Sequence, residues 1–375
     1  MFHPRAFGAM LLRRSVIRLA FAPLAVLAAG EVAHAGLAYT VTPLGTLPGD
    51  SESLAFAINN AGNVVGLAYG YSPAPQQTFV YSGGALQPLG VTPAIASDYG
   101  INAAGQIVGG ASPVAGSSAS EAFLYAAGTV QYFPALAGAV AINASGQFVG
   151  LTNSSTSADS HAALYSGGQV HDLGTLGGSY SNAFAINSAG QVVGTAEISS
   201  GDDHAFLYSN GTMQDLGTLG GLSSIAQGIN DHGQIAGASL TPAGDEHAFL
   251  YSNGTMQDLG TLGSGSYTYA FGINNSGVVV GDAVVAGGTS HGFVYTGGTM
   301  YDLNSLLSAG SGYQITDATA INDSGQIAAS ASNSYNEYEA VLLTPTSIPL
   351  PTSAWAAFTV LPLLLWGRRF VRGLR

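Results

Sequence analysis

The sequence predicts an all-β fold, a seven-bladed β-propeller of four-stranded blades closed by its N-terminal strand. Three observations lead to it: a motif is repeated seven times, most repeats contain four short apolar runs, and the last repeat lacks a fourth strand while an extra copy of that strand stands at the front. The motif is Ile-Asn-x-x-Gly, and copies 41 to 48 residues apart indicate one supersecondary unit copied around or along an axis. Its asparagines are Asn59, Asn102, Asn143, Asn187, Asn230, Asn274 and Asn322.

The repeat between Asn182 and Gly221 shows the four strands of one unit most clearly. Each run is short and apolar, turn residues separate the runs, and no helical periodicity is present. Asn210-Gly211 supplies the positive backbone angles that a tight hairpin requires. The four predicted strands are Ala183 to Asn187, Gln191 to Ala196, His204 to Tyr208 and Thr212 to Leu219.

The ends of the repeat region favour a closed propeller over an open β-solenoid, the other architecture that accepts four-stranded units. The last set of strands, Ala318 to Thr344, lacks a fourth strand. An extra copy of that strand, Tyr39 to Leu47, stands before all the others. We therefore expect the N-terminal strand to complete the last blade.

The first strand of each repeat has one face of very small side chains. Ala or Gly stands two residues before every repeated Asn, and Ala stands four residues before six of them. Small residues are expected where blades crowd around an axis. On the opposite face, Phe56, Phe184 and Phe271 are expected to fill the core between neighbouring blades.

The charge distribution excludes one class of partner. Between Gly36 and Pro349 the sequence has no Lys or Arg and twenty Asp and Glu residues. Nucleic-acid binding needs cationic side chains to neutralise phosphates, so we expect no nucleic-acid partner.

The two ends of the chain carry predicted export and sorting segments on either side of a propeller at residues 36–346. Residues 1–35 have a basic region, an apolar region and an A-x-A site, which predicts signal-peptide cleavage between Ala35 and Gly36; the alternative is an uncleaved anchor. Residues 347–375 contain an apolar run, Trp355 to Trp366, shorter than the ~20 residues of a membrane-spanning helix. Arginines follow it, so we expect a transient membrane anchor.

Two sets of motifs resemble known families. His204-Ala205-Phe206 and His247-Ala248-Phe249, together with repeated DLGTLGG segments, resemble the HAF repeat of bacterial extracellular proteins, which implies export but no particular activity. The tail resembles the PEP-CTERM sorting signal, although Leu350 replaces the Glu of that motif. That resemblance implies processing by an exosortase of a Gram-negative bacterium and an extracellular or cell-surface role in an exopolysaccharide or biofilm system. The matching tail residues are Pro349, Pro351, Arg368, Arg369 and Arg372.

A histidine column at the start of the third strands allows a metal or a structural interpretation. One His per blade separates successive copies too widely for one metal ion, so we expect each to hydrogen-bond a turn or the repeated Asp. The histidines are His161, His204, His247 and His291, and the aspartates are Asp172, Asp215, Asp258 and Asp302. The repeated Asn is expected to be a turn residue that bonds backbone two positions on.

Acids that break the repeat are the candidate functional residues. Glu52, Asp98 and Asp317 have no counterparts in the other copies. Together at a channel mouth they could bind Ca²⁺, the one cofactor considered, or serve as the acid and base of a glycosidase. The simpler interpretation is that each is a solvated acid.

The leading functional hypothesis is a non-enzymatic binding or matrix propeller that faces carbohydrate, because no catalytic constellation is evident in the sequence. Loop aromatics would supply flat apolar faces for a glycan or would pack between loops. The alternative is a propeller glycosidase or polysaccharide lyase that uses the three acids, and a purely structural matrix protein is a third hypothesis. The loop aromatics are Tyr69, Tyr71, Tyr180, Tyr267 and Tyr269.

Overall fold

The structure is a computed structural model that describes residues 37–70, 76–91, 99–112, 120–152, 160–263, 265, 267–308 and 310–346. The predicted signal peptide, its cleavage site at Ala35 and Gly36, and the sorting tail lie outside these residues, as do Tyr71 and Asp98. Those predictions therefore stay predictions. Within the described ranges, no helix combines the length and apolar character needed to cross a bilayer.

Seven antiparallel four-stranded sheets follow one another along the chain, which confirms the predicted propeller. Blade 1 contains β2 (Glu52–Ile58), β3 (Val64–Tyr69), β4 (Gln77–Ser82) and β5 (Ala85–Pro88). Blade 2 contains β6 (Tyr99–Ile101), β7 (Ile107–Ala111), β8 (Glu121–Ala126) and β9 (Thr129–Phe133). Blade 3 contains β10 (Leu136–Ile142), β11 (Phe148–Thr152), β12 (Ala162–Ser166) and β13 (Gln169–Asp172). Blade 4 contains β14 (Gly177–Ile186), β15 (Val192–Ile198), β16 (Asp203–Ser209) and β17 (Thr212–Asp215).

The last three blades repeat this order. Blade 5 contains β18 (Ser224–Ile229), β19 (Ile235–Leu240), β20 (Glu246–Ser252) and β21 (Thr255–Gly260). Blade 6 contains β22 (Thr268–Ile273), β23 (Val279–Val284), β24 (Ser290–Thr296) and β25 (Thr299–Asp302), followed by a short 3-10 helix, Leu303–Leu306. Blade 7 contains β26 (Gln314–Ile321), β27 (Ile327–Ser332), β28 (Tyr338–Thr346) and, from the N-terminus, β1 (Ala38–Pro43).

The outer strands are shorter than the sequence predicts. In blade 4 the predicted strand Thr212 to Leu219 ends at Asp215, because Gly217 has a φ of 73° and turns the chain away from the sheet. The turn places Leu216 in the core between blades, where it is 9% exposed. The tight hairpin before this strand is confirmed, since Asn210 and Gly211 have φ values of 53° and 80°.

Strand β1 closes the ring by pairing antiparallel with β28, from Ala38 opposite Thr346 to Pro43 opposite Val341. The predicted strand Tyr39 to Leu47 therefore ends earlier, at Pro43. The residues that follow still hold the seam between blades 7 and 1: the Leu44 amide donates to the Ala340 carbonyl at 2.9 Å. Leu47 is buried beside it in a core shared by the two blades. The predicted N-terminal closure is confirmed.

The hydrophobic core is divided among the spaces between neighbouring blades. In blade 4, Phe206 is fully buried and lies over Gly194 of the adjacent strand. A Cβ at Gly194 would lie 2.8 Å from the Phe206 ring and 1.9 Å from the Asn182 carbonyl oxygen. Glycine is thus required where a large ring and a neighbouring strand approach the same backbone.

A closed ring of asparagine side chains joins the inner strands at one face of the disc. Asn59 Nδ2 donates to the Asn102 carbonyl oxygen at 3.0 Å, and each later asparagine donates in the same way to the next blade. Asn322 completes the circle by donating to the Asn59 carbonyl oxygen at 3.0 Å. All seven asparagines are buried, with exposures of 3 to 5%. Each blade is therefore tied to both neighbours by a buried side-chain bond.

Each of these asparagines also organises its own turn. Asn143 Oδ1 accepts the amides of Ser145 and Gln147, both at 3.0 Å, which confirms the predicted turn role. Its Nδ2 donates to Gln147 Oε1 at 2.8 Å and to the Asn187 carbonyl at 3.1 Å. The amide group is fully hydrogen-bonded, as a buried polar group requires.

Replacing one ring asparagine should destabilise the whole propeller. Asn143→Ala removes the side-chain acceptor of the part-buried Ser145 and Gln147 amides and one of the two donors to the buried Asn187 carbonyl. We expect the free energy of unfolding to fall by about 2–4 kcal/mol in urea denaturation. Ser145→Ala, in the same turn but exposed, is the control and should change it by less than about 0.5 kcal/mol. Equal, small effects of the two substitutions would contradict a stabilising role for the ring.

Candidate functional site

The axial channel contains a cavity of about 450 Å³ to which all seven blades contribute residues. Its walls combine aromatic, aliphatic and polar side chains, and one acid, Asp317, lies among them. One position of the inner strand, three residues before each repeated Asn, supplies most of the lining. The residues at that position are Phe56, Tyr99, Val140, Phe184, Gln227, Phe271 and Thr319.

The inner-strand phenylalanines all line this cavity, so the expectation that they fill the core between blades is wrong for Phe184 and Phe271. It holds in part for Phe56, which also packs against the core between blades 1 and 2. A register shift between Ala183 and Ala185 marks a bulge at Phe184, and the same irregularity flanks Phe56 and Phe271. A bulge changes the direction of the residue it contains. The alanine one position earlier, such as Ala183, is instead fully buried between blades.

A second cavity, of about 270 Å³, lies at the channel end formed by the asparagine ring. It shares Ile101 and Ile142 with the first cavity, so the two are successive parts of the channel. Around its rim, Asn275 donates hydrogen bonds to the carboxylates of Asp231 and Asp323, and its Oδ1 accepts the Asp231 amide. The Ser188 amide, 2.9 Å from Asp231 Oδ1, lowers the pKa of that carboxyl.

Asp317 of β26 is the candidate acid that the structure places in the axial cavity. The residue is partly exposed, but its Oδ1 is inaccessible and has no hydrogen-bond partner. Burial, and then the nearby charge of Asp282, raise the pKa of Asp317 from 3.8 to about 7. The channel wall thus contains a carboxyl group that gains or loses its proton near neutral pH.

Asp282 of β23 is the acid that the sequence analysis missed. Ser290 Oγ donates to Asp282 Oδ2 at 2.7 Å, whereas Oδ1 is buried without a partner. Burial raises the pKa of Asp282 as well. A signal was present, because the equivalent position of the other second strands never carries an acid. The equivalent residues are Leu67, Gly110, Leu151, Thr195, Ala238 and Ser330.

Of the other two candidate acids, the structure describes Glu52, which does not join Asp317 in the channel. Glu52, at the start of β2, hydrogen-bonds Tyr69 and is not among the residues that line either axial cavity. Burial, and then this bond, raise the pKa of Tyr69. Asp98 lies outside the described residues. Among the described residues, the acid that lies near Asp317 is Asp282, from the neighbouring blade.

Three aromatic rings of blade 6 form a row that ends in the axial cavity. Tyr267 is 41% exposed, and its ring centroid lies 6.0 Å from that of Tyr269. Tyr269 stacks on Phe271 at 6.4 Å, with the two planes 11° apart, and Phe271 lines the cavity. The Tyr269 hydroxyl donates to Glu246, which helps fix its ring. We call Tyr267, Tyr269 and Phe271 the aromatic row.

Tyr180 and Tyr313 make similar bonds to acids near the start of the inner strands. Tyr180 hydrogen-bonds Asp203, and burial together with this acid raises its pKa to about 12. The Tyr313 hydroxyl donates to Glu339 at 2.9 Å. Asp203 and Glu246, the first residues of β16 and β20, thus hold tyrosine rings in place, since both accept from tyrosines.

The histidine column is structural, as the sequence predicts. In blade 4, His204 Nδ1 lies 2.9 Å from Asp215, whose Oδ1 also accepts the Gly217 amide at 2.7 Å. The equivalent His and Asp pairs of blades 3, 5 and 6 have separations of 2.8 to 2.9 Å. Among the described residues, no group of three or more His, Asp or Glu is arranged to hold a metal ion. The Ca²⁺ hypothesis, which includes Asp98, stays a prediction.

Comparison with known proteins shows the fold. No protein-family model matches the chain, and no curated protein sequence matches it. The β-propeller domain of the Trilobed protease from Pyrococcus furiosus aligns over 80% of this chain and 98% of its own, with 8% identity and a TM-score of 0.54. The acylaminoacyl peptidase of Pyrococcus horikoshii aligns over 83% of this chain, with 10% identity and a TM-score of 0.53. This chain spans 55% of that peptidase's length.

The buried acid should give stability a distinctive pH dependence. With its pKa raised from 3.8 to about 7, Asp317 keeps its proton in the folded state while the unfolded state loses it. The free energy of unfolding should therefore fall as pH rises from about 4 to 7, by at most about 1.4 kcal/mol per pH unit. The raised pKa of Asp282 acts in the same direction.

Asp317→Asn should flatten this pH dependence and make the variant more stable than the wild type at pH 7 to 8. Denaturant unfolding between pH 4 and 8 is the measurement. Asp245→Asn is the control, because Asp245 is exposed on a hairpin, and it should keep the wild-type slope. An Asp317→Asn variant with that same slope would show that the carboxyl is not held in its neutral form.

Proposed function

We propose that the protein is an exported, non-enzymatic binding propeller that takes carbohydrate along the aromatic row and into the axial cavity. The observation that carries this proposal is the continuity of the two features, since Phe271 belongs to both. Sugar rings present flat apolar faces, and aromatic side chains with fixed orientation can stack against them. An exposed Tyr267 at the other end of the row would make the first contact.

The cavity also offers the polar groups that orient a sugar. Gln227 and Asp317 lie in its wall among apolar side chains, a combination typical of small-ligand sites. The Gln227 amide can donate and accept, and Asp317 can do either according to its protonation. Such groups would fix hydroxyl positions while the rings hold the apolar face.

The charge of the propeller narrows the class of carbohydrate. Residues 37–346 contain no Lys or Arg and twenty Asp and Glu. A negative field of this kind repels polyanions, so we expect a neutral or cationic glycan rather than a uronate-rich or sulfated one.

The proposal extends to export and sorting. Residues 1–35 would be removed after Ala35, and an exosortase-type enzyme would process the tail that contains Pro349, Pro351 and the arginines at 368, 369 and 372. The propeller would then act at the cell surface or in a surrounding matrix. The HAF and PEP-CTERM resemblances support this setting.

A glycosidase is the second candidate, and the Asp282 and Asp317 carboxyls favour it. Both have raised pKa values, and a carboxyl that keeps its proton near pH 7 can act as a general acid. The enzyme would then use Asp317 with Asp282 rather than with Glu52. Reducing ends released from a bound glycan, and lost in Asp317→Asn, would establish this activity.

Removing rings from the aromatic row should weaken carbohydrate binding without unfolding the protein. We expect Tyr267→Ala and Phe271→Ala each to lower affinity for a bound neutral or cationic oligosaccharide by roughly 5- to 10-fold, equivalent to the ~1 kcal/mol of a ring contact. Glycan-array screening followed by calorimetric titration is the measurement.

The control is Tyr335→Ala, which removes an 82% exposed tyrosine outside the row and should bind like the wild type. Absence of any glycan that binds the wild type, or equal loss in all three variants, would refute the proposed site.

A further inference from the structure

Asp317, in the wall of the axial cavity, and the nearby Asp282 have no cationic side chain of the propeller to pair with. Asp317 and Asp282 interact electrostatically across the boundary between blades 7 and 6, and each has a buried Oδ1 without a partner. Every ion pair between described residues joins a histidine to Asp172, Asp215, Asp258 or Asp302. Lys and Arg are absent from residues 37–346. When these carboxyls ionise, no Lys or Arg of residues 37–346 can balance them, and a bound cation could.

The rest of the cavity wall is suited to an organic cation. Phe56, Phe184 and Phe271 bring three aromatic rings to the same space as Asp317. The negative face of an aromatic ring attracts an ammonium group, and the attraction strengthens when water is displaced. Rings and carboxylate therefore favour the same kind of ligand.

A bare metal ion fits the wall less well. Ca²⁺ takes six to eight oxygen ligands, whereas the described residues contain no group of three or more acids or histidines around one point. The cavity, at about 450 Å³, has room for a small organic group. Asp317 is the one carboxylate among the described residues that line it, so a metal ion there would have to keep most of its water ligands.

We propose that the group entering the axial cavity carries a positively charged amine, with Asp317 as its counter-ion, Asp282 as a second carboxylate behind it, and the aromatic rings around its apolar part. This inference rests on the proposed function where the amine belongs to a sugar: the ligand is then a glycan containing a free amino group. The same chemistry would also accept a free small amine, and the experiment separates the two sources.

Binding should be linked to ionisation of the acid. A bound ammonium stabilises the carboxylate form of Asp317 and displaces its proton. The titratable groups linked to Asp317 on this side are Asp282, which acts on it directly, and Tyr269, which interacts with Asp282, Glu246 and Tyr267. Affinity for a permanently charged cation should therefore rise from pH 6 to pH 8.

Choline and its neutral isostere 3,3-dimethyl-1-butanol test the charge requirement by calorimetric titration of the full chain. We expect choline to bind and the isostere to bind at least about tenfold more weakly. Asp317→Asn should weaken choline binding by about 30-fold or more and abolish the pH dependence, while thermal unfolding shows the variant to be at least as stable as the wild type. Asp282→Asn should cause a smaller loss, and Asp245→Asn, at an exposed acid, should cause none.

Equal affinity for choline and its isostere, no choline binding by the wild type, or unchanged binding by Asp317→Asn would overturn the proposal.

Oligomers of glucosamine and of N-acetylglucosamine distinguish failure of the amine site from failure of the proposed carbohydrate function. If the wild type prefers the glucosamine oligomer and Asp317→Asn loses that preference, both the amine site and the carbohydrate function are supported. Choline binding that depends on Asp317 with no oligosaccharide binding retains the amine site and refutes the carbohydrate function. If the wild type and Asp317→Asn each bind the two oligomers equally well, the amine site is refuted and the carbohydrate function is retained.

Discussion

The circle of asparagine side chains is the interaction on which the rest of the molecule depends. Each amide fixes its own turn through two backbone amides and reaches the carbonyl of the next blade, and the bond from Asn322 to Asn59 makes the series continuous. Because these groups are buried, an opened link would leave polar atoms without partners. The inner strands are thereby held at fixed distances around the axis, and the channel between them keeps a defined shape.

Closure also explains why the propeller can be built almost without cationic side chains. Sheet hydrogen bonds, apolar cores between blades and buried amides supply its cohesion, and the acids are free to serve other roles. Some hold tyrosine hydroxyls or histidine rings. Asp282 and Asp317 do neither, and they stand where the sevenfold pattern is broken. In a repeated scaffold, that departure is the strongest structural indication of a site.

The sequence was sufficient for features that recur with the repeat. The strand order, closure by the N-terminal segment, the Asn turn and the His–Asp pairs each follow from periodic residues. It was insufficient where the direction of a side chain depends on a local irregularity: the bulge at Phe184 turns the ring to the channel, and spacing alone does not reveal it. Asp282 and Asp317 lie in different sheets, so the pattern of strands within one repeat could not show that they are close. The asparagine bonds between blades were hidden for the same reason.

Native-state hydrogen exchange at the seam tests the closed ring most directly. The amides of Ala61 and Asn63, held by Asn59, and of Ser324 and Gln326, held by Asn322, flank the junction of the first and last blades. The amides of Ala189 and Gln191 are their equivalents in the middle of the chain. A continuous ring predicts exchange free energies that agree within about 1 kcal/mol at the seam and in the middle, because both open only with the whole propeller. Seam amides that exchange at a free energy several kcal/mol lower would show that the circle is open there.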